Sequence, residues 1–156
     1  MHKRAIALVG ASAVVAGVLL LSGCLSSTGT QASPTAGAQT EATSDLPVIG
    51  HGAEVDLKEH LVSGKTTVFD FYSEQCPACM MLAPELEKLA AKRPDLAIVK
   101  VDVNRPDVRD RIDWDSPVAR QHGLDSLPHL VIFDADGKQS ASGEEALQRV
   151  AQWIDG

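Results

Sequence analysis

One stretch limits what this chain can become: Asp70-Phe71-Tyr72-Ser73-Glu74-Gln75-Cys76-Pro77-Ala78-Cys79-Met80-Met81-Leu82-Ala83-Pro84. Thr66 to Tyr72 is apolar, β-branched and aromatic, the pattern of a buried strand. A short polar bridge follows, and a helical pattern begins with Pro77 at the first helical position. Two cysteines separated by two residues therefore stand at a helix start, just past a strand end. Unsatisfied backbone N–H groups and the positive end of the helix dipole favour an anion at Cys76. The thiolate is the form of cysteine that attacks a disulfide. One helical turn brings Cys79 within bonding reach of Cys76. The stretch suits the making and breaking of one disulfide, Cys76–Cys79.

The chain of 156 residues suits one folded domain rather than two. Its net charge is −7, and the acidity lies from Leu46 onward, with 12 Lys/Arg against 19 Asp/Glu. No basic stripe is present, which argues against a nucleic-acid partner.

At the other end, His2, Lys3 and Arg4 precede an apolar run from Ala5 to Leu21, followed by Ser22-Gly23-Cys24. A charged n-region, an apolar h-region and small residues at a cut make residues 1–23 an export signal. The competing reading is an uncleaved membrane anchor. Against it, the run is short for a span, is diluted by Gly, Ala and Ser, and lacks interfacial anchors. Leu21-Ser22-Gly23-Cys24 resembles the lipobox of bacterial lipoproteins, which implies lipid on Cys24 and Cys24 as the mature N-terminus. That resemblance implies attachment to a bacterial cell membrane on the periplasmic side. Leu25, where an aspartate would favour inner-membrane retention, points to the outer membrane in a cell that has one. The remainder of residues 24–45 is Ser, Thr, Gly, Ala, Gln and Pro with almost no large apolar residue. Such a segment reads as a flexible tether, with a root-mean-square reach of about 25 Å. Residues 46–156 are the folded domain. With Cys24 assigned to lipid, Cys76 and Cys79 remain, too few for a disulfide scaffold or a structural zinc site. A lone C-x-x-C in a strand–turn–helix context reads as redox.

Along the domain, Leu46 to Gly64 holds a short strand and one or two helical turns around Val55–Leu61. Lys65 to Tyr72 is the first firm strand, interrupted by Asp70. That acid either points to solvent at the strand's end or is a buried carboxyl beneath the sulfurs. In the second case desolvation raises its proton affinity, and it exchanges a proton with the second thiol. Pro77 to about Arg93 is an amphipathic helix with Met80, Leu82, Ala83, Leu86, Leu89 and Ala90 on its apolar side. Pro84 kinks it and Pro94 stops it. Leu96 to Val103 reads as a central strand parallel to the first. Arg105 to Ser116 reads as a solvated connection pinned by Trp114, since its carboxylates fit no Ca²⁺ loop spacing. Pro117 to His122 is a short helix, and Leu130 to Phe133 a strand. Asp134-Ala135-Asp136-Gly137 turns into a weak edge strand near Lys138 to Ser142. Gly143 opens a last helix with Ala146, Leu147, Val150, Ala151 and Ile154 apolar. The order is β-α-β-α-β-β-α, with no internal repeat.

These residues together resemble the α/β thioredoxin fold from about Val55 to Ile154, most similar to bacterial thioredoxin-like lipoproteins and exported thioredoxins. Asp70 stands six residues before Cys76, and Pro84 five after Cys79. Lys100 falls where the family has a lysine near its buried acid. Leu127-Pro128 precedes a strand where the family has its cis-proline, and Asp136-Gly137 with the final helix closes the match. The resemblance implies a central mixed β-sheet flanked by helices. It also implies that Leu127 and the turn at a cis Pro128 hold an extended client segment beside the disulfide. Four positions depart from the family pattern. Pro77-Ala78 replaces Gly-Pro between the cysteines, Gln75 replaces tryptophan, and His129 follows Pro128 where threonine is common. The intervening dipeptide tunes thiolate stability, so the motif alone does not set the direction of electron flow.

The expected activity is a membrane-tethered thiol–disulfide oxidoreductase acting as a reductant. Its expected catalytic residues are Cys76, Cys79 and Asp70, supported by Pro77, Ala78, Lys100, Leu127, Pro128 and His129. The expected partners are client proteins with disulfides, a membrane thiol electron donor and the membrane itself; the expected unit is a monomer without cofactor or metal. One rival is an oxidant or isomerase of the DsbA type. Another is a Cu(I) metallochaperone using the cysteines with Met80 and Met81, although Met80 reads as core-facing and Met81 as groove surface. A third is a binding module with a vestigial disulfide. His129 either tunes the cysteines or stands by, and His51, His60 and His122 read as surface or loop residues.

Overall fold

The computed structural model describes residues 46–156. The expected export signal, Cys24 and the expected tether lie outside the described residues. Five strands, β1 (Val48–Ile49), β2 (Thr66–Tyr72), β3 (Leu96–Asp102), β4 (His129–Phe133) and β5 (Gln139–Ser142), form one mixed sheet in the order β1-β3-β2-β4-β5. Helices α1 (Pro77–Lys92), α2 (Pro117–Gln121) and α3 (Glu144–Asp155) complete the set, with a 3-10 turn at Leu57–His60. Strands β1 and β2 run parallel to β3, whereas β4 is antiparallel to β2, and β5 to β4. From β2 onward the order is the β-α-β-α-β-β-α of the sequence reading. The first strand lies earlier than Val55, because Val48–Ile49 pairs with β3 and the 55–61 stretch goes to the turn. Among the described residues, no helix is long and apolar enough to cross a membrane.

Strand parity distributes the core. Val68, Asp70 and Tyr72 share one face of β2, and Phe69 and Phe71 share the other. On the first face Val68 joins Ile98, Leu130 and Ile132 with Leu86 and Leu89 of α1 and Ala146 and Val150 of α3. On the second, Phe69 and Phe71 join Val99, Val101 and Val131 with Val118 and Ala119 of α2. β2 is covered on both faces, which is why its sequence is nearly all apolar. β3 is interior, as expected of it, but the middle position belongs to β2.

Helix α1 buries Cys79, Ala83, Leu86 and Leu89, a helical stripe that packs on the sheet. Met80 departs from the reading: it is 49% exposed, and Met81 71%. The stripe runs through Cys79 and Ala83, which turns both methionines outward. Pro84 sits on the exposed side of the helix, and Arg93 caps its end through N–H to the Leu89 carbonyl at 2.9 Å. On α3, Ala146 and Val150 are buried but Ala151 is exposed.

The 103–116 loop is not pinned by Trp114, which is 40% exposed. Its anchor is polar. Asn104 Oδ1 accepts from Asp113 N at 3.1 Å, and its Nδ2 donates to the carbonyls of Val108 and Arg111, both at 2.8 Å. Asp113, 2% exposed, accepts from Arg105 Nε at 2.6 Å and Nη2 at 3.0 Å. Trp114 reaches solvent because the chain folds inward around Asn104 and Asp113 instead.

Candidate active site

β2 delivers the chain directly into α1 through a tight polar turn. Ser73, fully buried, accepts from Gln75 N at its Oγ, and from Cys76 N at its carbonyl at 3.0 Å. Cys76 is then the N-cap: its backbone is extended, and its Sγ accepts from Cys79 N at 3.1 Å. Pro77 follows at the first helical position, where its missing N–H costs no hydrogen bond. Cys76 and Cys79 form a disulfide with Cα atoms 5.3 Å apart. The Cys79 N–H and the helix dipole face the Cys76 sulfur, an arrangement suited to stabilising a thiolate there on reduction.

The disulfide is more enclosed than its sequence position implies. Cys76 is 3% and Cys79 2% exposed, and with Tyr72 they form a small cluster. Ile112 and Leu127, both half-buried, pack against it. The Leu127–Pro128 peptide bond is cis. On the N-terminal side, Glu74 and Gln75 line a cavity of about 320 Å³ with His51, Asp102, Arg105 and Arg109.

Asp70 is fully buried, so the reading in which it points to solvent is overturned. Neither carboxylate oxygen has a hydrogen-bond partner. Burial lifts its pKa from 3.8 to about 7, and the Lys100 charge pulls in the other direction. Lys100 is opposite Asp70 in the parallel register and 6% exposed, with its Nζ 4.0 Å from the centre of the Tyr72 ring. The Tyr72 hydroxyl is itself pushed up, first by burial and then by Asp102, Glu74 and Asp70. Asp70 and Lys100 thus adjoin Tyr72, which adjoins the cysteines. A carboxyl that exchanges its proton near neutrality stands two residues up the strand from a ring packed on the disulfide.

The model of the family described as Thioredoxin matches residues 51–156. The chain belongs to the thioredoxin family. It is 36% identical to a thioredoxin of Chlamydia trachomatis over 87 residues, which cover 56% of this chain and 74% of that protein. A thioredoxin of Chlamydia muridarum is 40% identical over 84 residues, covering 54% and 72%. The solved structure of Trichomonas vaginalis thioredoxin superposes with a TM-score of 0.52 at 20% identity, over 72% of this chain and 97% of that one. That likeness shows the thioredoxin fold. The protein is a thiol–disulfide oxidoreductase, and Cys76–Cys79 is the active-site disulfide of this family member.

Within this thioredoxin-family domain the remaining expected residues divide. Pro77 and Ala78, between the two cysteines, are exposed; Leu127 packs on the cysteine cluster, and Pro128 after it is half-buried. His129 is turned away. It pairs in register with Phe71, so it lies on the α2 face of the sheet, with its Nε2 3.2 Å from Ser142 Oγ. His122 lies in the turn after α2, as a loop residue would, but is half-buried: its ring packs at 4.7 Å on Phe71, and its Nε2 is buried without a partner. Burial lowers the pKa of both imidazoles. They line a second cavity of about 540 Å³ with Val55, Lys58, Gln121 and Ser142. Sequence reasoning missed Ile112 altogether. The available signal was Val108 and Ile112, four residues apart inside the charged run from Arg105 to Ser116. Among the described residues no group of three or more His, Cys, Asp or Glu is placed to hold a metal.

Proposed function

We propose that this protein is a membrane-tethered reductant of disulfides in exported client proteins. The carrying observation is the Cys76–Cys79 pair at the start of α1, with Asp70 buried behind it at a pKa of about 7. The Cys76 thiolate attacks a client disulfide, forming a mixed disulfide and releasing one client thiolate. Cys79 gives its proton to Asp70, directly or through water, and attacks the Cys76 sulfur. The client leaves with both sulfurs reduced, and Cys76–Cys79 is re-formed. Two electrons from a membrane thiol donor restore the dithiol. Leu127 and the turn at Pro128 line the path of the client segment. Lipid on Cys24 holds the domain at a bacterial membrane, and residues 25–45 set its reach. The family membership and the Leu-Ser-Gly-Cys pattern support this reading.

A redox titration of the full-length chain against thiol–disulfide buffers is the test. A midpoint more negative than about −230 mV supports a reductant, and one nearer about −120 mV an oxidant. The Cys79→Ser variant should trap mixed disulfides with insulin; no trapped adduct would refute the exchange step. Incorporation of labelled fatty acid that is lost in Cys24→Ala tests the anchor.

A further inference from the structure

The 103–116 loop runs for 14 residues between β3 and α2 without regular structure, a length that in compact domains accompanies function more often than mere connection. It is nevertheless held firmly. Asn104 gathers the loop from inside, and Arg105 grips the buried Asp113 carboxylate with two side-chain hydrogen bonds at 2.6 and 3.0 Å. The Asp113 carbonyl accepts from Ser116 N at 3.2 Å, which ties the clasp to the start of α2. The residue immediately before Asp113 is Ile112, and the clasp delivers its side chain onto the Tyr72–Cys76–Cys79 cluster. Ile112 and Leu127 pack on the two cysteines, which are 3% and 2% exposed.

We propose that this loop is the discriminating wall of the active site, with Ile112 its contact surface and Asp113 the positioning residue that fixes it. The inference rests on the reading of Cys76–Cys79 as a client-reducing pair. An extended client carrying an apolar side chain beside its cysteine gains contact on Ile112 as its disulfide reaches Cys76. A small disulfide gains no such contact and meets only the obstruction. The wall thus favours protein substrates and disfavours low-molecular-weight ones.

Truncating the wall therefore moves the two substrate classes in opposite directions, which a general loss of structure does not do. The experiment uses pre-reduced full-length protein and second-order rate constants for insulin and for hydroxyethyl disulfide. Ile112→Ala and Asp113→Ala should lower the insulin rate and raise the hydroxyethyl disulfide rate, so that their ratio falls about tenfold or more. Ile112→Val and Asp113→Asn, which keep most of the volume and shape, should recover part of the ratio and guard against misfolding. A ratio that stays at the wild-type value in Ile112→Ala and Ile112→Val overturns the proposal, whatever the absolute rates. A wild-type protein that reduces neither substrate overturns the reading beneath it instead.

Discussion

Asp70→Asn should make this domain more stable at neutral pH. Asp70 is fully buried, its oxygens have no hydrogen-bond partner, and its pKa rises from 3.8 to about 7. In the unfolded chain the same carboxyl ionises near its ordinary value. Between those two pH values the native state holds a proton that the unfolded state has released. Stability therefore falls as pH rises through this window and levels off above it. The gap is about three pKa units, each worth about 1.4 kcal/mol, so the penalty approaches about 4 kcal/mol at pH 7 and above. Near pH 4 it almost vanishes. Asparagine keeps the size and cannot ionise, and any cost of its buried amide is the same at every pH. Urea unfolding of the oxidised wild type and variant, from about pH 4.5 to 8.5, isolates the effect, since all other titrations cancel in the difference. The advantage of the variant should grow across this range by roughly 3–4 kcal/mol. A difference that is flat with pH, or that shrinks, would refute burial as the cause of the shift. The same variant should release mixed disulfides more slowly, because Cys79 loses its proton acceptor.

Three other outcomes follow from the packing. Lys100→Met removes the charge that opposes burial, so Asp70 should titrate above about 7, as read by carbon NMR of the carboxyl. Gly52→Ala should cost about 1–3 kcal/mol in thermal or urea unfolding. Its φ is +80°, and a Cβ would lie 2.6 Å from Arg105 N and 2.8 Å from Arg105 Cα. His122→Leu should flatten the acid limb of the stability curve. Burial keeps the native imidazole neutral below the pH where the unfolded one takes its proton, so wild-type stability is lost as pH falls below about 6.5.

The parts of this molecule that were legible in the sequence are those determined by neighbours in the chain. Thr66–Tyr72, Pro77–Arg93 and Leu96–Val103 announce themselves by period, and the Cys76–Cys79 pair by its place between strand and helix. Asp70 was recognisable as an acid in the wrong place, but only the two flanking strands decide that it is buried. Ile112 and Asp113 were illegible for a different reason. Their positions depend on Asn104 reaching Val108, Arg111 and Asp113 at once, a closure with no periodicity. His122 is legible as a turn residue because Gly123 ends a short helix there; its burial is not, since the ring it packs on, Phe71, is fifty-one positions away. Counting apolar residues places Met80 in the core, and the stripe through Cys79 and Ala83 excludes it.

Two properties of the site are thus held by different parts of the fold. Asp70 lies between Lys100 on β3 and Leu130 on β4, so its proton affinity is set by strand register: one cation on one side, hydrocarbon on the other, and helix α1 above. A slip of one residue would turn Asp70 toward the face of Phe71, His122 and His129 and remove it from the sulfurs' side. The two side chains packed on the disulfide, Ile112 and Leu127, belong to loops, and on the proposal above they set access to it. Substitutions in the sheet should therefore shift the pH at which exchange runs without altering which disulfides are chosen. Substitutions in the 103–116 loop should do the reverse. A loop variant that moved the pH profile as far as Lys100→Met does would show that the two are coupled, and would mean that Ile112 helps keep solvent from Asp70 as well as from the cysteines.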